Sequence, residues 1–117
     1  MKIIMFHYVR NFQKNLKFFK FFEKKQFYKL INKYKKNIIQ NENEITQKSK
    51  KILLTFDDGL KDHFYIAKKL HKEKLIGIFF INSGPYIDKK VLDVHLSQLI
   101  LGKVGGRIAL NELEKFI

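Results

Sequence analysis

The 117-residue sequence contains no cysteine, one proline and six glycines. Without cysteine there is no disulfide framework, no thiolate nucleophile and no cysteine-held metal. Any metal must be held by His, Asp or Glu, and only four His are present. Long apolar runs are also missing. The longest are Ile3-Ile4-Met5-Phe6 and Ile78-Phe79-Phe80-Ile81, far short of the ~20 residues a bilayer-spanning helix needs. The N-terminus opens Met1-Lys2 and turns apolar, as a secretory signal does. His7 and Arg10 then interrupt it before an apolar stretch of roughly 7–15 residues is reached. The expectation is a cytoplasmic chain with no transmembrane segment.

Acidic residues are scarce as well. Lys and Arg number 24 against 11 Asp and Glu, a formal net charge of +13. The excess is at the front: residues 1–51 hold 14 bases and 3 acids, whereas residues 52–117 hold 10 and 8. Such asymmetry favours contact with anionic lipid or nucleic acid, so a basic, non-catalytic binding module is one reading of the chain. Hydrophobic residues make up 45%, enough to build a core and to exclude global disorder. The length allows one domain.

Periodicity predicts alternating elements. Residues 2–9 form a short apolar run and predict a buried strand. Between about Phe18 and Lys36, Phe19, Glu23, Phe27, Ile31 and Tyr34 recur at helical spacing, with lysines opposite. Residues 40–51 are polar and read as a loop. Ile52–Phe56 predicts a second strand, ended by Asp57-Asp58-Gly59. Asp62–Lys74 predicts a helix with Phe64, Ala67 and Leu70 inward, and Ile76–Ile81 a third strand stopped by Asn82-Ser83-Gly84-Pro85. Asp88 is positioned to cap a helix running to Leu101 ahead of Gly102, and residues 109–117 begin another. The order implies an α/β protein with about three parallel strands and flanking helices. In such folds the ligand site lies beyond the carboxyl ends of the strands. That rule brings His7-Tyr8 and Asp57-Asp58 to one rim.

Thr55-Phe56-Asp57-Asp58-Gly59 carries the sharpest chemistry. Two adjacent carboxylates at a strand end are costly unless a cation or hydrogen-bond donors neutralise them. Neighbouring side chains also diverge, so the pair suits two roles, one binding a metal and one acting as a base. Gly59 lets the backbone turn sharply beneath them. Alone, Asp-Asp-Gly is equally a common turn or helix cap.

Leu53-Leu54-Thr55-Phe56-Asp57-Asp58-Gly59 resembles the first signature of the polysaccharide deacetylase family, metal-dependent carbohydrate esterases. Met5-Phe6-His7-Tyr8-Val9 looks like the opening strand of that family. Phe22–Phe27 looks like the following helix and Gly77–Ile81 like the strand after the motif, so the resemblance covers about residues 1–87. It implies that Asp57 is the general base and Asp58 a ligand of a divalent metal, often Zn²⁺. The implied reaction is hydrolysis of the amide of an N-acetylated carbohydrate, with no nucleic-acid partner. The fold implied is a distorted (β/α) barrel.

The family completes its metal site with a second motif, His-Ser/Thr-x-x-His. The sequence after the third strand offers only His95, followed by Gln98 and Leu99 at the spacings a second imidazole would need. His95 is therefore read as a helix residue. The expectation is that residues 1–117 are a single partial domain, the N-terminal part of a deacetylase-like domain with a missing C-terminal portion, inactive alone.

Other residues carry paired readings. His7 is either a contact to substrate and to the metal's ligands or a satisfied buried histidine. Tyr8 reads as packing, Asp62 as a helix cap and His71 as solvated. Phe18–Phe22 reads as core, or as a membrane-surface anchor.

Overall fold

A computed structural model of the chain describes residues 1–116. It is an α/β protein whose main sheet has three parallel strands in the order β1-β4-β5. These are β1 (Lys2–Phe6), β4 (Ile52–Phe56) and β5 (Gly77–Phe79), with β2 (Val9–Arg10) and β3 (Phe22–Glu23) forming a separate parallel pair. The register aligns Phe6 with Phe56 and Phe56 with Phe79. Parallel neighbours need crossover connections, usually helical, and α1 (Lys24–Tyr34) and α2 (Lys61–Lys72) lie in the two crossovers. Among the described residues the strands do not close a barrel. No helix among the described residues is long and apolar enough to cross a membrane.

The chain divides into two compact units. The first comprises residues 1–11 and 21–82 and contains both sheets. Side chains alternate across a strand, so Phe6, Leu54, Phe56 and Phe79 share one face. Phe27 and Ile31 of α1 and Ile66 and Leu70 of α2 complete the core with them. The Phe56 ring stacks on Phe79 at 4.7 Å and on Phe6 at 5.5 Å, and Phe27 meets Phe6 edge-on at 5.2 Å. Gly77 is required beneath this stack. A Cβ there would lie 2.9 Å from Leu70 and 3.0 Å from Phe56. Glu73, the residue after α2, bonds Lys35, the residue after α1, and Lys69 of α2, each at 2.7 Å, and so joins the ends of the two helices. The two ammonium groups, Lys35 foremost, pull its carboxyl down to about 2.

The second unit comprises residues 12–20 and 83–117. It holds α3 (Gly84–Asp88), α4 (Asp93–Val104) and α5 (Gly106–Leu113). Phe19 is buried against Gly102, where a Cβ would come within 2.8 Å of the Phe19 side chain. The Phe18 amide donates to the Gly102 carbonyl at 2.9 Å. Between α4 and α5 runs an apolar groove of about 480 Å³, lined by Ile100, Leu101, Val104, Ile108, Leu113 and Phe116 among others.

Several expectations are corrected. The strand expected over 2–9 breaks after Phe6, because His7 leaves the sheet, and Ile3 and Met5 are exposed rather than buried. The helix expected over 18–36 begins only at Lys24. Phe22 and Glu23 instead pair with Val9 and Arg10, and Phe19 is held by Gly102. Glycine stands inside α4 rather than after it, since only glycine admits the Phe19 ring so closely. Asp88 ends α3 and does not cap α4, whose N-cap is Leu92. α2 buries His63, Ile66 and Leu70, while Phe64 is exposed. The final helix spans Gly106–Leu113, and Ile117 lies outside the described residues.

Phe27→Ala should therefore destabilise the fold by about 3–5 kcal/mol, the usual cost of emptying a buried phenylalanine site. Phe64→Ala should change it by about 0.5 kcal/mol or less. Urea denaturation of both variants checks the inward face of each helix.

Candidate active-site rim

The three parallel strands end on one rim. The last ladder bonds run from the Asp57 amide to the Phe6 carbonyl at 3.0 Å and from the Phe80 amide to the Phe56 carbonyl at 2.8 Å. Beyond them the chains diverge into His7, Asp57-Asp58-Gly59 and Asn82.

The two aspartates separate at once. Asp57 still follows the strand, and its half-buried carboxylate has no hydrogen-bond partner among the described residues. Asp58 turns into the positive-φ region at +81° and Gly59 follows at +60°. A non-glycine residue there is uncommon, though Asp tolerates it better than most. The turn carries the Asp58 carboxylate back over the rim. His7 Nδ1 lies 3.0 Å from its Oδ2, and the Asn82 amide donates to its Oδ1 at 3.1 Å. One oxygen is thus fixed from the first strand and the other from the third. Gly59 is needed for φ and for space, because a Cβ would lie 2.9 Å from Ile81 Cγ2.

The first turn of α2 braces the rim. Asp62 accepts from Arg10 Nε at 2.7 Å and from Nη2 at 2.6 Å, so it is an ion-pair partner rather than the expected helix cap. The Arg10 guanidinium also lies 5.1 Å from the Tyr8 ring centroid. Burial pushes the Tyr8 hydroxyl up, with Asp58 and Asp62 adding to the shift and Arg10 opposing it. His63 is 3% exposed, and its Nε2 lies 2.5 Å from the His7 carbonyl oxygen. Burial holds the His63 imidazole below its ordinary value, against the raising effects of that carbonyl, Asp62 and Asp58.

His7, Asp57 and Asp58, expected from the strand ends, do meet on one rim. The His7 side chain is 47% exposed, which decides against the buried-histidine reading. His95 lies on α4 in the other unit, a helix residue, and His71 is exposed on α2. Asn82 and His63 were not expected. Asn82 could have been found by applying the strand-end rule to the third strand as well as to the first two. His63 had no such signal, since its partner is a backbone carbonyl 56 positions earlier.

A zinc site needs three or more protein donors at close range. Among the described residues no three His, Asp or Glu side chains come together to hold a metal. His7 and Asp58 are two donors already bonded to each other. The residues do not fit a complete divalent-metal site. Compared with protein-family models, curated proteins and solved structures, the chain matches none of them.

The His63 environment sets a pH dependence. Its folded pKa is depressed, so below the unfolded value of about 6.5 the unfolded chain binds a proton that the folded chain resists. Stability should fall as pH drops through that region. The urea midpoint should be lower at pH ~5.5 than at ~7.5, and His63→Phe should shrink that difference.

Proposed function

We propose that the chain carries the carboxylate half of a polysaccharide deacetylase-type active site, which hydrolyses the amide of an N-acetylated carbohydrate. One observation carries this reading. A single turn after the central strand leaves Asp57 unbonded and holds Asp58 between His7 and Asn82. Adjacent acids so divided suit two different tasks. Asp57 is the base that takes the proton of a water attacking the acetyl carbonyl. Asp58, with one oxygen held by His7 and the other by Asn82, is oriented before substrate arrives as the carboxylate that would ligate a divalent cation.

The resemblance of Leu53–Gly59 to the deacetylase signature supplies the substrate class and the divalent cation. Asp58 is the residue that would ligate that cation. The donors described do not complete its coordination, so no catalytic step is assigned to it. The barrel architecture belongs to the same proposal. It is supported by the parallel order β1-β4-β5 and by Ile3 and Met5, which are exposed on the sheet face opposite the core. In a closed barrel that face would be filled by side chains of further strands.

Co²⁺ is a paramagnetic probe of the rim. Titrated into the chain, it should broaden NMR signals of His7, Asp58 and Asn82 in weak, fast exchange. Asp58→Ala and Asp58→Asn should abolish the effect, and Lys→Gln changes at Lys24, Lys25, Lys29 and Lys33 should not. Acetate release from a chitooligosaccharide should be undetectable with this donor set. Broadening indifferent to Asp58 would overturn the reading. Anionic-vesicle or nucleic-acid binding that weakens steeply with salt and ignores Asp58 would favour the basic binding module instead.

A further inference from the structure

We propose that His63 is a positioning residue for the His7–Asp58 pair, an inference that rests on reading the rim as an active site. The argument begins with the atom His63 faces. A backbone carbonyl can only accept, so the His63 nitrogen 2.5 Å from the His7 oxygen must carry the hydrogen and donate it. The proton is therefore on Nε2. Nδ1 keeps its lone pair, buried and without a partner among the described residues. The ring packs edge-on against Phe56 at 5.6 Å and tilted against Phe79 at 6.2 Å, members of the aromatic stack that forms the core. Its aim is set by its packing on the buried aromatic core.

The bond acts where the sheet stops acting. The Phe6 carbonyl is the last of β1 to receive a ladder bond, from the Asp57 amide. The next carbonyl, that of His7, receives its hydrogen from His63. Fixing that peptide plane fixes the direction in which the His7 side chain leaves the backbone. The imidazole, although half-exposed, then comes within 3.0 Å of Asp58. The neighbouring Arg10–Asp62 pair holds the same helical turn against β2, so the donor cannot drift from the carbonyl. A phenylalanine in place of His63 would fill a similar volume against Phe56 and Phe79 but could donate nothing. Packing and positioning are therefore separable.

Long-range ¹⁵N–¹H spectra of the imidazoles test this at pH ~8, above the ordinary histidine value of about 6.5. Native His63 should be the Nε2–H tautomer and native His7 the Nδ1–H tautomer that Asp58 selects. In His63→Phe, His7 should lose that preference. His63→Gln, whose amide reaches a similar point and can donate, should restore it. Urea midpoints measured in parallel report packing alone. The proposal is overturned if native His63 carries its hydrogen on Nδ1, an outcome that needs no variant. It is also overturned if His7 keeps its tautomer in folded His63→Phe, or if folded His63→Gln fails to restore it. None of these readouts uses a cation or a substrate. Failure of the active-site reading would instead appear as Co²⁺ broadening indifferent to Asp58 while the tautomer pattern holds.

Discussion

Phe56 touches Phe6, Phe27, Phe79 and His63 through its ring, and Phe6 and Phe27 also meet each other. Each such aromatic pair contributes about 0.5–1.5 kcal/mol beyond its area of burial. The cluster joins all three strands to the helix before the central strand and the helix after it. Everything at the rim hangs from it. Phe6, Phe56 and Phe79 are the last residues of their strands, so the stack fixes the points from which His7, Asp57 and the segment leading to Asn82 depart. The chemistry sits one to three residues beyond the packing.

That arrangement explains how two adjacent carboxylates are tolerated. Asp57 continues the strand and is half-buried. Asp58 is turned away from it by a positive φ and receives donors from the chain segments on either side. A strained backbone of this kind costs of order 1–3 kcal/mol and persists only where surrounding contacts over-determine it. Gly59 against Ile81, Arg10 on Asp62 and His63 on the His7 carbonyl are those contacts. None of these three involves the lysines that dominate the composition. Apart from Arg10, the front-half charge lies mostly on exposed positions of α1 and the loops and does not build the rim.

The sequence made the strand centres and the Asp-Asp-Gly turn legible because both are local. Apolar β-rich runs of four or five residues bounded by polar turns specify strands whatever surrounds them. The limits of the first helix were not legible. Phe18–Phe22 has a helical spacing of aromatics, yet Phe19 is captured by Gly102 and Phe22 by strand pairing with Val9, both distant in sequence. Phe64, expected inward, yields that position to His63 for a similar reason. Phe64 is the more apolar, but the inward position on α2 faces a carbonyl that needs a donor. Asn82 was hidden by its turn-forming neighbours, Ser83-Gly84-Pro85. Composition suggested a partner for the positive charge, and the geometry directs attention to a small acidic rim instead.

Native-state hydrogen exchange tests most directly the claim that the aromatic stack and the rim form one cooperative unit. The Asp57 amide, bonded to Phe6, and the Phe80 amide, bonded to Phe56, mark the junction between the two. The account predicts that both exchange only through global unfolding, with the same free energy as amides inside β4, and that Phe27→Ala lowers all of them together. Exchange of the Asp57 and Phe80 amides at rates typical of the 40–51 loop, while β4 stays protected, would contradict it.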